Sequence, residues 1–138
     1  MEPNKQELRS KYFEIRNRLD PEYRAEASSM IIERVLREFK DISLSPVSCY
    51  VDCNGEVQTR GLIEHMLSEG RVVTVPRVKD DKMEMHRIFS LDDLSPGFCG
   101  IPEPESTAPI IRPENHKLII VPAVAWYIND DGIWRIGR

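Results

Sequence analysis

The stretch PVSCYVDCNGEVQTRGLIEHMLSEGRVVTVP, residues 46–76, specifies the architecture. Its first six residues, Pro46–Val51, form a short apolar run with β-branched members, the signature of a buried strand. A polar turn with Gly55 follows. Leu62, Ile63, Met66 and Leu67 then recur at helical spacing, and Gly70 supplies a C-terminal stop. Arg71–Pro76 is a second apolar run of strand length. Strand, helix, strand in this order predicts an α/β unit with parallel pairing.

Upstream, the N-terminal part reads as two helices. Asn4 is a candidate N-cap, and Leu8, Tyr12, Phe13 and Ile15 give an apolar face near helical spacing. Asp20 followed by Pro21 restarts the helix, an N-cap residue before proline at the first helical position. Ile31, Val35 and Phe39 recur every four residues with Ile32 and Leu36 beside them, which predicts a buried stripe on a helix of about 20 residues.

Towards the C-terminus, Lys82–Phe89 alternates and reads as a strand nearer an edge. Leu94–Pro109 is rich in proline and glycine and reads as a long loop, of the kind that is functional or disordered. His116–Tyr127 contains Leu118–Val121, the strongest strand signal in the chain. The fold class expected is therefore α/β: a three-layer sandwich with a mainly parallel central sheet flanked by helices. Near-continuous apolar strands fit a sheet covered on both faces. In such sheets ligands bind beyond the carboxyl ends of the strands. Three loops are expected there: DCNGEV after the first strand, PRVKDD after the second, and PAVAWYINDDGIWRIGR after the last.

Composition narrows the function. The 138 residues suit one domain, 1–138, and 41% are hydrophobic. The net charge of −4 argues against a nucleic-acid partner, which calls for a basic excess. No run approaches membrane-spanning length and the polar N-terminus lacks a signal core, so a cytoplasmic protein is expected. Cys49, Cys53 and Cys99 show no second pair at zinc-ligand spacing and read as free thiols in a reducing compartment.

Several residues could carry chemistry. Lys5 and Arg9 stand four apart on one helix face, suited to clamping phosphate oxygens; the more economical reading is a solvated basic face that also carries Lys11 and Arg16. Glu56 after the first strand is equally suited to accepting hydrogen bonds from a ligand and to opening the next helix. Arg77 and Glu103 are candidates for the crevice or ordinary loop charges. His65, His86 and His116 each stand alone, and no Gly-x-Ser-x-Gly elbow supports nucleophilic catalysis. In DDGIWRIGR, residues 130–138, Gly132 and Gly137 permit close backbone approach, and Arg135 and Arg138 offer forked donors to an anion. Trp126 and Trp134 flank this stretch as stacking or core residues.

Five segments occur together in an order that resembles one known family. They are KQELR at Lys5–Arg9, YVDCNGEVQT at Tyr50–Thr59, VPRV at Val75–Val78, GIPEP at Gly100–Pro104, and LIIVPAVAW with RIGR within Leu118–Arg138. The chain resembles the 5-formyltetrahydrofolate cyclo-ligases, also called 5,10-methenyltetrahydrofolate synthetases, over nearly its whole length. The resemblance implies an ATP- and Mg2+-dependent closure of 5-formyltetrahydrofolate to 5,10-methenyltetrahydrofolate. It implies that Lys5 and Arg9 bind phosphate, and that Glu56 and Val51 bind the folate. Arg135, Ile136, Gly137 and Arg138 would be the first residues of a glycine-rich phosphate loop, with Arg138 also catalytic. No metal ligand is assigned, and a monomer acting on a small molecule, with no nucleic acid or membrane, is expected. The chain departs from the family pattern by one extra residue between Gly132 and Arg135. It also stops before the pattern's further glycines, paired tyrosines and Mg2+-binding Asp, so a C-terminal segment is expected to be lacking. The alternatives are a degenerate relative that binds folate or nucleotide without chemistry, and a paralogue acting on another cofactor precursor.

Overall fold

The computed structural model describes residues 4–136. Helices come first: α1 spans Lys5–Asn17 and α2 spans Pro21–Glu38. Both expected caps form. Asn4 Oδ1 accepts from the Gln6 amide at 2.9 Å, and Asp20 Oδ1 accepts from the Glu22 amide at 2.8 Å. These bonds satisfy donors that a helix start leaves without partners.

The central sheet has the order β3-β2-β1-β6. Strand β1 is Val47–Cys49, β2 is Val73–Lys79, β3 is Lys82–Ile88 and β6 is Leu118–Ile120. Between β1 and β2 runs helix α3, Arg60–Ser68. Strand β1 pairs parallel with both β2 and β6, while β3 returns antiparallel to β2. The fold is thus α/β with a mainly parallel central sheet flanked by helices, as expected.

The register explains the core. Val47 stands opposite Val73 and Leu118, Cys49 opposite Ile120, and Val73 opposite Ile88. One face of the sheet is therefore a continuous apolar surface, since strand side chains alternate. It joins Leu62, Ile63 and Met66 of α3 in the buried cluster, with Ile32, Val35 and Leu36 of α2 packed against its edge. Ser48, Thr74, Pro76, Met85 and Ile119 face the other way by the same register. That face is covered less completely: Ile119 at its edge is 40% exposed and Met83 61%.

Several expectations are corrected. The buried stripe of α2 runs along Ile32, Val35 and Leu36, while Ile31 and Phe39 lie exposed. Two adjacent apolar rows run along this helix, and packing selects one of them. Helix α1 buries no residue fully. Within Leu94–Pro109 a small antiparallel pair forms, β4 (Leu94–Pro96) with β5 (Pro102–Pro104). Prolines are tolerated there because an edge strand has amide positions that make no ladder bond. Gly97 packs closely against the Glu103 side chain, which a Cβ at that position would push aside.

The last expected loop is also strand. Strand β7, Ala125–Asn129, and β8, Gly132–Ile136, form a hairpin in which Asn129 pairs with Gly132. Asn129 Oδ1 accepts from the amides of Asp131 and Gly132, closing the turn. Gly132 has φ +138°, backbone that a side-chain-bearing residue rarely adopts. Likewise PRVKDD is no open loop. Strand β2 runs on to Lys79 and turns at Asp80 and Asp81, both left-handed, into β3.

Cys49 is buried in β1, Cys53 is half-buried and Cys99 exposed, all three as free thiols. Burial pushes the Cys49 thiol from its ordinary 9.0 up to about 12, with the Asp52 charge adding to the rise against a hydrogen bond with Thr59. The folded state thus holds its proton where the unfolded chain releases it, so stability falls as pH rises from about 9 to about 12. Cys49→Ala is expected to flatten that fall, measured as denaturant midpoints at pH 8 and pH 11 against the parent chain.

Candidate functional site

The segment Tyr50–Thr59 leaves the carboxyl end of β1 and is braced throughout. Thr59 Oγ1 donates to the Tyr50 carbonyl at 2.7 Å, and the Thr59 amide donates to Asp52 Oδ1 at 3.0 Å. The Tyr50 hydroxyl donates to the Val57 carbonyl at 3.0 Å, and the Gln58 amide donates to Ser28 Oγ at 3.0 Å, tying the loop to α2. Asn54 and Gly55 take positive φ values of 49° and 81°, which turns the chain sharply before Glu56.

Glu56 is only 7% exposed. The Cys53 amide donates to its Oε1 at 3.0 Å, and the Cys53 thiol lies 3.5 Å from the same oxygen. The carboxylate is therefore oriented by its own turn. It contributes to the wall of a cavity of about 410 Å3, bounded by α1, α2, this loop and the residues after β6. Tyr50, Ile32, Val35 and Leu62 supply its apolar wall, Trp126 its outer edge, and Arg16 and Arg24 its remaining charges. The volume falls in the usual range for small-molecule sites, roughly 300–1,000 Å3. A mostly apolar cleft with one oriented carboxylate and two cations suits an amphiphilic ligand with hydrogen-bond donors.

The other sequence candidates scatter. Val51 is buried and lines a second cavity of about 310 Å3 on the Ser48–Met85 face of the sheet. Tyr50, Ile120, Val121 and Pro122 border both cavities. Lys5 opens α1 and is exposed, and the Arg9 guanidinium lies 5.6 Å from the Phe13 ring one turn further on. Neither borders the cavity of Glu56. Arg135 and Ile136 belong to β8, where Arg135 pairs with Trp126 and Ile136 with Ala125. This stretch is thus strand rather than open loop up to Ile136. Gly137 and Arg138 lie outside the described residues.

Arg77 and Glu103 are brought together, though elsewhere. Both line a polar cavity of about 340 Å3 that shares no wall residue with that of Glu56. The histidines serve the scaffold. His86 is buried with Nδ1 at 2.8 Å from the Ala108 carbonyl, and His116 Nε2 lies 2.8 Å from Thr74 Oγ1. His65 lies on the outside of α3, 3.7 Å from Glu69.

Arg16 and Arg24 line this cavity although the sequence reading places Arg16 only on a solvated basic face and does not single out Arg24. Two signals exist for them. Arg16 shares the helix face of Lys5 and Arg9, since 4 and 11 residues both return near one angular position. Arg24 sits in the first turn of α2, where the helix dipole disfavours a cation.

A sequence model of the 5-formyltetrahydrofolate cyclo-ligase family matches residues 1–138. No curated protein matches. Among solved structures, the 5,10-methenyltetrahydrofolate synthetase of Aquifex aeolicus superposes with a TM-score of 0.83 at 29% identity, over 97% of this chain and 66% of that one. This chain thus spans just under two thirds of that relative's length. The 5,10-methenyltetrahydrofolate synthetase of Mycoplasma pneumoniae shares the fold, with a TM-score of 0.71 at 16% identity, over 98% of this chain and 71% of that one.

Proposed function

We infer the activity from membership: this chain belongs to the 5-formyltetrahydrofolate cyclo-ligase family. The protein converts 5-formyltetrahydrofolate to 5,10-methenyltetrahydrofolate at the expense of ATP. The formyl oxygen on N5 takes the γ-phosphoryl group, N10 attacks the formyl carbon, and inorganic phosphate leaves with that oxygen. An amide-like oxygen leaves poorly until it is phosphorylated, so the protein's task is to align the two substrates and to offset charge.

One observation carries the reading: an oriented, nearly buried carboxylate, Glu56, at the wall of a mostly apolar cavity. A pterin ring offers adjacent N–H donors to such a carboxylate and apolar faces to its surroundings. We assign Glu56 to the folate, with Val51 supporting the adjoining wall. Lys5 and Arg9 are assigned to the ATP phosphates. They fit that group: Lys5 stands in the first turn of α1, where helix amides and dipole already favour an anion. Arg135, Ile136, Gly137 and Arg138 extend the phosphate site in this reading, with Arg138 acting on the transferred group. Among the described residues no three His, Cys, Asp or Glu side chains gather to hold a metal. In this reading the Mg2+ of the reaction would enter with the nucleotide phosphates, its usual ligands.

The free cysteines suit a reducing, cytoplasmic setting. Among the described residues no helix is long and apolar enough to cross a membrane. A monomer acting on a small molecule, with no nucleic-acid partner, completes the reading.

The test is to mix protein, 5-formyltetrahydrofolate and Mg·ATP and to follow the methenyl product by absorbance. ATP-dependent product formation supports the assignment, and folate binding without turnover points to the non-catalytic alternative. Lys5→Ala is expected to raise KM for ATP about tenfold, the loss of one charge-assisted phosphate contact. KM for the folate should change less than twofold. Equal effects on both substrates would contradict the assigned role.

A further inference from the structure

A carboxylate in a cavity wall recognises a ligand only as sharply as it is held. The Glu56 amide donates to the Cys53 carbonyl at 3.1 Å, closing the turn through Asn54 and Gly55. The Cys53 amide donates back to Glu56 Oε1 at 3.0 Å. Both bonds use the Cys53 backbone, so almost any residue at position 53 could make them. A third contact belongs to the side chain: Cys53 Sγ lies 3.5 Å from the same Oε1. An ionised carboxylate only accepts, so the thiol is the donor. Its place matters as much as its distance. Cys53 does not border the cavity of about 410 Å3 that Glu56 lines. It borders a smaller one of about 160 Å3, whose wall also includes Asp52, Asn54 and Glu56. Glu56 belongs to both walls, and Cys53 reaches a ligand in the larger cavity only through it.

We propose that Cys53 is a positioning residue: its thiol fixes Glu56 Oε1 so that the carboxylate meets the N–H donors of the folate in one orientation. This rests on the assignment of Glu56 to the folate and adds the side chain that keeps it in place. A glutamate side chain has several rotatable bonds, and one backbone contact leaves its carboxylate room to pivot. A second donor on the same oxygen narrows that motion before the ligand arrives, which lowers the ordering cost of binding. Positioning groups of this kind hold a functional side chain within a fraction of an ångström of its working geometry. A thiol is a weak donor, so its effect is on alignment and is modest in size. Alanine at position 53 keeps the backbone bonds and removes the donor, whereas serine keeps a donor on the same carbon.

Steady-state kinetics on the full chain compare the parent with Cys53→Ala, Cys53→Ser and Glu56→Ala, and with the double variant that carries both alanines. Cys53→Ala is expected to raise KM for 5-formyltetrahydrofolate about fivefold, the loss of one weak donor to a charged acceptor, with kcat and KM for ATP changed less than about twofold. Cys53→Ser should recover most of that loss. In the Glu56→Ala background, Cys53→Ala should change KM for the folate less than about twofold, because the oxygen it acts on is gone. A merely structural role of Cys53 would persist without the carboxylate. An unchanged KM for the folate in Cys53→Ala overturns the proposal. So does an equal rise for both substrates, a loss that serine fails to reduce, or a loss of full size in the Glu56→Ala background. In each of these cases the proposal alone fails, provided that Glu56→Ala itself weakens the folate. If Glu56→Ala leaves the folate kinetics unchanged, the assignment of Glu56 fails and the proposal with it.

Discussion

Glu56→Gln is expected to lower kcat/KM for 5-formyltetrahydrofolate about 100-fold, with KM for ATP changed less than threefold. The substitution keeps the side chain's length and one carbonyl-type oxygen for the Cys53 amide, now 3.0 Å from Glu56 Oε1. The local turn is therefore retained. What changes is the face presented to the ligand. A carboxylate offers two acceptor oxygens and a negative charge, whereas a carboxamide sets N–H donors against the donors of a pterin. Hydrogen bonds to charged groups contribute about 1.5–3 kcal/mol each, which corresponds to roughly ten- to hundredfold in binding. Opposing donors in a nearly buried position add a desolvation cost. The pattern is the mirror image of that expected for Lys5→Ala, and the two variants together separate folate from nucleotide recognition. A loss shared equally by both substrates would place Glu56 in the scaffold instead.

Ile63→Ala is expected to destabilise the fold by about 3 kcal/mol, the usual cost of emptying a buried aliphatic site. Ile63 is fully buried on α3 within the cluster formed by Val47, Cys49, Val73, Val75 and Ile88. The better helix propensity of alanine offsets only a few tenths of a kcal/mol. Small domains are stable by roughly 5–15 kcal/mol in all, so the variant should lose a large share of that margin. Chemical denaturation followed by circular dichroism measures the change. Met30→Ala on α2 is the matched control. Met30 is 65% exposed, and its loss should cost within about 0.5 kcal/mol. Similar losses at both positions would mean that the core does not lie where α3 meets the sheet.

The contrast between these two positions shows what was legible in the amino-acid pattern. From residue 46 to residue 76 the helix between the strands offers a single apolar face, and the strands around it are apolar on the side that meets it. Val47, Leu62, Ile63, Met66 and Val73 are accordingly all in the core. On α2 the pattern is ambiguous, because Ile31 and Ile32 head two neighbouring apolar rows. Only docking against the sheet selects Ile32, Val35 and Leu36 from the two rows. The hairpin of β7 and β8 was hidden by its own turn. Asp131 followed by Gly132 is a hairpin signal, but with two arginines nearby it also reads as an anion loop. Proline hid β4 and β5 in the same way, since it argues against strands in general and is tolerated in edge strands in particular.

The site was legible in part for a related reason. Glu56 follows a strand and a glycine turn, and its motif singles it out from the amino-acid sequence alone. Arg16 and Arg24 carry only the weaker marks of a shared helix face and a helix start, because arginines on amphipathic helices are ordinarily solvated. Their convergence on Gly55 is a tertiary fact, created when α1 and α2 dock beside the β1 loop. Lys5 and Arg9 lie nearer the start of α1 and do not border the cavity.

Calorimetric titration of 5-formyltetrahydrofolate into the parent protein and Glu56→Gln is the sharpest check on the folate assignment. A one-to-one complex is expected with the parent and an affinity at least tenfold weaker in the variant, with both proteins equally stable. Equal affinity in the two proteins, or no binding by a folded parent, would contradict the assignment.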